Sequence, residues 1–401
     1  MTKNNINAIK YKIIFTIHII VSIGFLFSID AYPALASQPA LNSYQAGVSI
    51  VPNNPTDFNS SAFRNAVLHI KNDHANYITL IITYFQSDEN ATTIHPGYNT
   101  PDDASLMQGI SFIHSQHMHV LLSLHLDQDN RKWRAYINPK NKEEWFGSYS
   151  QILYHYAYIA TITHTESMCI GTELITMTSV TKSRDNTHYW YLIIDNIRKS
   201  YKGHLTYSAN WGGGNFNNEK EHIAFWDKLD YIGISAYYPL TSIKNATSVQ
   251  IQKGWNTSLQ DLYILHTVFN KPILFTEVGY RNIADSSQSP WDYEVLGKVD
   301  QTAQKNAYNA LFTILKSHSW ISGVHIWHWD IGKTNKDINT DYTPENKSAE
   351  LELASSYALF NPKPLELTNL DSDLKTPFIE YNLLSKITDS LISNAIALSF
   401  F

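Results

Sequence analysis

The chain has 401 residues, a mass of 45.8 kDa and 43% hydrophobic residues. That suits one large barrel or two ordinary domains and excludes wholesale disorder. Charged residues reach only 16% against 13% aromatic, with 10 Trp and 25 Tyr, a balance for recognition by stacking and hydrogen bonding. A net charge of −6, a pI near 6.3 and no Lys/Arg-rich run argue against a nucleic-acid partner. Cys169 is the single cysteine, so neither an intramolecular disulfide framework nor a multi-Cys metal site is open to this chain.

In chain order, Lys3, Lys10 and Lys12 precede an apolar run from Ile13 to Ile29, followed by Ala34-Leu35-Ala36. Basic head, apolar middle and small-x-small exit read as a secretory signal over residues 1–36, which predicts a secreted or periplasmic protein. An uncleaved membrane anchor is the alternative; with cleavage no stable membrane span is expected. Cleavage would remove three lysines and one aspartate, leaving a net charge of −8.

Eight short apolar runs follow. They are Ala46–Val51, Tyr77–Phe85, His119–Asp127, Met168–Ile175, His204–Trp211, Asp230–Tyr238, Pro272–Tyr280 and Gly323–Trp329. Between them lie amphipathic stretches at Ser61–Asn72, Ala104–His117, Phe146–His164, His188–Tyr201, Ser258–Phe269 and Gln301–Ser317. Strand alternating with helix predicts parallel βαβ units, and eight of them predict a (β/α)8 TIM barrel over residues 41–360. A doubly wound open sheet is the rival, but no Gly-rich phosphate turn follows the first strand. Residues 361–401 form a short C-terminal extension to which no role is assigned.

The side-chain period of two sorts these strands into faces. Leu122, Leu124 and Leu126 oppose Ser123, His125 and Asp127; Ile170 and Thr172 oppose Cys169, Gly171 and Glu173; Leu205, Tyr207 and Ala209 oppose Thr206, Ser208 and Asn210. Apolar residues then face the helices and polar ones the barrel interior. The pattern carries His125, Asp127, Glu173, Asn210, Tyr237, Glu277, Trp327 and Trp329 to the C-terminal ends of their strands, where barrel enzymes hold their chemistry.

Glu173 and Glu277 each close a hydrophobic strand, where an unpaired charge is costly to keep. Either alone could be a structural ion-pair partner. Together, on strands four and seven of eight, they can converge on one glycosidic bond, one as nucleophile and one as acid/base. The stretches Cys169–Leu174, Tyr207–Trp211, Thr276–Tyr280, Pro290-Trp291-Asp292 and Trp327-His328-Trp329-Asp330 resemble glycoside hydrolase family 113. So do Asp341-Tyr342-Thr343-Pro344 and Lys347-Ser348-Ala349-Glu350. The resemblance covers roughly residues 44–360. It implies a retaining barrel hydrolase of the β-1,4-mannanase type, Glu173 matching the acid/base and Glu277 the nucleophile. Many members of the wider clan carry Asn immediately before the acid/base, where this chain has Thr172; Asn210 is the nearest substitute by strand position.

The other candidates suit a sugar cleft. Tyr237 could donate its hydroxyl to Glu277 and favour its charged form, or simply pack in the core. Trp211, Trp327 and Trp329 could offer faces to pyranose rings; Trp291 could do so or anchor its loop. His125 and Asp127 either bind sugar hydroxyls or form a buried pair. Among 17 histidines no H-E-x-x-H or comparable spacing occurs, so neither a catalytic metal nor a cofactor is expected. Gly212-Gly213-Gly214 lacks a Walker lysine and reads as a loop, not a phosphate cradle. The expected partner is a polysaccharide or oligosaccharide, mannan first. Xylan, glucan or an amino-sugar chain cleaved by the same mechanism is the alternative, as is a sugar-binding barrel without catalysis.

Overall fold

In the computed structural model, which describes residues 44–182, 184–212, 218–332 and 339–360, eight parallel strands close on themselves. They are β1 (Gln45–Ile50), β2 (Tyr77–Gln86), β3 (His119–Gln128), β4 (Ser167–Thr172), β5 (His204–Asn210), β6 (Ile232–Ser235), β7 (Ile273–Val278) and β8 (Ile321–Trp329). Each pairs in parallel with the next in sequence, and β1 pairs with both β2 and β8, which completes the ring. The expected barrel is the fold.

Seven helices of 12 to 22 residues surround it among the described residues, α1 (Ser61–Asn72), α2 (Asp103–Ser115), α3 (Lys142–Ile162), α4 (Thr187–Ser200), α5 (Ser248–Phe269), α6 (Gln301–Ser317) and α7 (Ser348–Phe360), and a single helical turn, Ile175–Thr178, follows β4. Two short 3-10 turns, Glu219–Glu221 and Phe225–Lys228, stand between β5 and β6. Helix starts follow local capping chemistry. Ser60, Asp102, Asn141 and Asp300 each accept a hydrogen bond from an amide of the first turn. Thr247 and Gln250 form a reciprocal capping box, so α5 begins ten residues before the stretch expected from periodicity.

The main core lies between strands and helices, where Leu80, Leu122, Ile170, Leu205, Ile234, Phe275 and Val324 are fully or almost fully buried. Trp255 of α5 stacks on Phe275 at 5.6 Å, and Trp190 of α4 on Phe225 at 5.0 Å. The barrel interior is polar, and several of its groups pair with one another. Ser208 Oγ lies 2.9 Å from Ser235 Oγ and 2.6 Å from Thr276 Oγ1. Lower down, the His325 ring bridges Thr79 Oγ1 at 2.6 Å and Gln45 Oε1 at 3.0 Å, and burial drives its pKa down to about 3. These bonds offset the desolvation of groups that the inward parity puts out of reach of water.

Two expected segments, residues 1–36 and 361–401, lie outside the described residues, as do Gly213 and Gly214. Among the described residues no helix is long and apolar enough to cross a membrane.

Candidate active site

The C-terminal ends of the strands surround a cleft of about 1250 Å³. Glu173, Glu277, Asn210, Trp211, Tyr237, His125, Asp127, Trp291 and Trp327 all line it. Trp329 does not. It is fully buried, its ring edge-on to His69 of α1 at 5.0 Å. The β1–β8 register shifts between Val48 and Ile50, and the shifted end of β8 turns Trp329 toward the helix layer.

Strand parity also fails at both glutamates. In β4 the register to β5 shifts between Cys169 and Thr172, so a side chain on Gly171 would strike Tyr149 of α3 and outward-facing Tyr207. Thr172, expected to face outward, instead turns its hydroxyl toward the Leu124 carbonyl, 3.4 Å away. Glu173 follows with φ 51°, a left-handed conformation that swings its carboxylate into the mouth. In β7 it is Thr276, not Glu277, whose hydroxyl joins the interior cluster. Irregular pairing between Phe275 and Val278 then lets Glu277 reach the cleft as well. Bulges beside active sites re-aim side chains in this way. No side chain fits at Gly279, because the Trp327 carbonyl comes within 2.4 Å of where its Cβ would stand.

Glu173 is half-buried. Asn210 Nδ2 donates to its Oε1 at 2.8 Å and Trp133 Nε1 to its Oε2 at 3.0 Å. Burial, and then the negative charge of Glu277, push its carboxyl above the ordinary range, outweighing Arg134 and the two donors. Tyr237 donates its hydroxyl to Glu277 Oε2 at 3.2 Å, as the sequence suggested, although it sits just beyond the end of β6. His125 Nε2 stands 3.0 Å from Glu277 Oε1, without the alignment of a hydrogen bond. Its ring also lies 5.8 Å from Trp327 and nearly parallel to it. Asp127 holds Arg134 by Nε at 3.0 Å and Nη2 at 2.7 Å. It is an ion-pair partner of Arg134 at the cleft wall, not a buried pair with His125.

Loops supply the aromatic faces. Trp211 and Trp291 pack at 4.9 Å on the β5/β7 side, while Trp133 and Tyr136 meet edge to face at 6.2 Å after β3. Tyr342 fixes the β7 loop by donating to the Pro290 carbonyl at 2.7 Å. Trp133, Arg134 and Tyr136 were not singled out from the sequence, and Tyr342 stood out there only within the Asp341–Pro344 stretch, with no role assigned. They lie in loops without periodicity, and only the tryptophan in Arg131-Lys132-Trp133-Arg134 offered a signal.

The pattern that defines Glycoside Hydrolase Family 113 matches residues 52–347, well over half of the chain. The chain belongs to glycoside hydrolase family 113. It is a glycoside hydrolase. Among solved structures, a family 113 β-1,4-mannanase is 24% identical at a TM-score of 0.70, the match covering 79% of this chain and 99% of that one. The family 113 β-mannanase of Alicyclobacillus acidocaldarius is also 24% identical, at a TM-score of 0.69 and with 79% and 98% covered. A family 5 mannosidase from Rhizomucor miehei shares the barrel at 12% identity and a TM-score of 0.53, with 79% and 93% covered. At these identities the likenesses speak for the fold. No curated protein sequence matches the chain.

Proposed function

We propose that this family 113 hydrolase is a retaining, endo-acting β-1,4-mannanase, with Glu173 as acid/base and Glu277 as nucleophile. The observation that carries the reading is the contrast between two carboxylates lining one cleft. Glu173 is pushed toward its protonated form by burial and by its neighbour's charge, whereas Glu277 receives the Tyr237 hydroxyl. Glu173 gives its proton to the glycosidic oxygen as the bond to C1 breaks, and a Glu277 oxygen bonds to C1 from the opposite face. Water then attacks C1, passes a proton to Glu173 and frees Glu277, with net retention. Support for mannan comes from the similar structures, which are β-1,4-mannanases. Aromatic residues on both sides of the catalytic pair fit internal cleavage of a polymer.

A panel of mannan, xylan, β-glucan and amino-sugar polymers tests the substrate, with proton NMR of the first-formed anomer for stereochemistry. Mannan should release oligosaccharides of retained configuration; early appearance of the inverted anomer overturns double displacement. Glu277→Ala should lose on the order of 10³-fold in turnover. A 2-fluoro mannoside should label Glu277 in peptide mapping, and a label on another residue sinks the assignment. We also propose export through residues 1–36; N-terminal sequencing of the mature protein should begin at Ser37, and an intact membrane-held chain would contradict it.

A further inference from the structure

Away from the cleft, on the seam where the barrel closes, three potential ligands come together. His69 and Asp73 are four residues apart, at the last turn and C-cap of α1, and so share a helix face. Glu350 is the third residue of α7, and the ligand atoms of the three lie within 4.8 Å of one another. Glu350 Oε1 is 2.8 Å from His69 Nε2, and Glu345 Oε1 is 3.5 Å from His69 Nδ1.

A proton on His69 accounts for only part of this cluster. An imidazolium has two N–H donors, and both are directed at the glutamates. Asp73, only 8% exposed, keeps an Oδ2 that is buried and accepts no hydrogen bond. A buried carboxylate oxygen without a donor is expensive to maintain.

We propose that His69 Nε2, Asp73 and Glu350 bind a divalent transition-metal cation that clips the first helix of the barrel to the last. One imidazole and two carboxylates form a neutral set with a doubly charged ion, and mixed N/O ligation selects zinc-like ions over calcium. Ligand bonds of about 2.1 Å at tetrahedral angles place donor atoms about 3.4 Å apart, so the His69–Glu350 contact must open by only about 0.6 Å. The other ring nitrogen of His69 then donates to Glu345, the carboxylate–histidine–metal arrangement that orients a ligating ring. His69 is 34% exposed in its side chain, which gives an ion a path inward. The clip joins segments about 280 residues apart in sequence across the β1–β8 seam.

The test is calorimetric titration of chelator-washed protein with Zn²⁺ alone, followed by thermal unfolding with and without excess Zn²⁺. The expected result is one equivalent bound and a Tm raised by about 4 °C. Asp73→Asn and Glu350→Gln should each abolish both effects, and Glu345→Gln should weaken binding by about 10-fold. If either ligand variant fails to fold, the other and the wild-type isotherm decide. No binding by the wild type means an ion-pair cluster only, and an undiminished Tm shift in both ligand variants means a cation held elsewhere. Either outcome overturns the proposal, and neither bears on Glu173 or Glu277.

Discussion

Glu173 takes its character from what surrounds one carboxyl group. After burial, the Glu277 charge is the largest influence on it, so neutralising Glu277 should bring its pKa back down. Carbon-13 NMR titration of Glu277→Gln should show Glu173 shifted toward the ordinary carboxyl range; an unmoved titration would mean that burial alone holds it. Trp133 acts in the opposite sense, because its indole N–H stabilises the charged form. Trp133→Phe should therefore move the basic limb of the kcat/KM profile to higher pH, and an unmoved limb would mean that the indole N–H does not act on Glu173. Glu173→Gln should lose turnover on poor leaving groups far more than on activated aryl glycosides, and added azide should restore part of it. Equal losses on both substrates would remove the acid/base role.

At the scale of elements, the ends of β4 and β5 are held together by one carboxylate that never meets the cleft. Glu219, in the 3-10 turn after β5, is fully buried and accepts from Tyr207 at 2.7 Å, Thr178 at 2.6 Å and the Asn210 amide at 2.7 Å. Tyr207 in turn accepts from the Leu174 amide at 2.6 Å, next to Glu173. The positions of Glu173 and its donor Asn210 thus depend on Glu219 without its touching either side chain. Burial raises its pKa to about 7. The folded state therefore holds a proton between about pH 4.5 and 7 that the unfolded chain has lost, and stability from this group falls as pH rises through that window. Glu219→Gln should lack this loss, so wild type should forfeit about 2–3 kcal/mol relative to the variant across the window. Chemical denaturation at several pH values reads the difference; parallel curves would refute it. The same variant should lower kcat more than it raises KM, as misplaced catalytic groups do.

For the molecule as a whole, Glu166, at the opposite end of the barrel from the cleft, links stability to acid pH. Burial pushes its pKa up, but hydrogen bonds from His114 and His119 at 3.2 Å and from the Val120 amide at 2.8 Å outweigh that and bring it to about 2. A carboxylate depressed in the folded state contributes stability that is complete above about pH 4.5 and is lost as pH falls toward 2. Glu166→Gln should cost about 2–3 kcal/mol at neutral pH, with the gap to wild type closing on acidification. A gap that stays constant with pH would assign Glu166 a packing role only.

What the sequence determined by itself is whatever depends on near neighbours along the chain. Alternation of Leu122, Leu124 and Leu126 with Ser123, His125 and Asp127 marks β3 and its inward face, and amphipathic stretches such as Ser61–Asn72 mark helices. Eight such strands imply a closed barrel, and a barrel implies that Glu173, Asn210, Tyr237 and Glu277 meet at one rim. What only the tertiary structure decided depends on register and on contacts distant in sequence. Parity read along β4 puts Gly171 inside and Thr172 outside; the bulges that reverse this exist only in pairing with neighbouring strands. The same holds for Trp329, carried to the helix layer by a shifted β1–β8 register, and for Trp133, brought onto Glu173 from 40 residues away. Glu219 looks like an ordinary surface glutamate in the sequence, and Glu350 stands out there only as the end of the Lys347–Glu350 stretch. Glu219 meets Tyr207 because the turn after β5 folds back on its own strand, and Glu350 meets His69 because the fold brings α7 beside α1; a linear pattern carries no record of either contact.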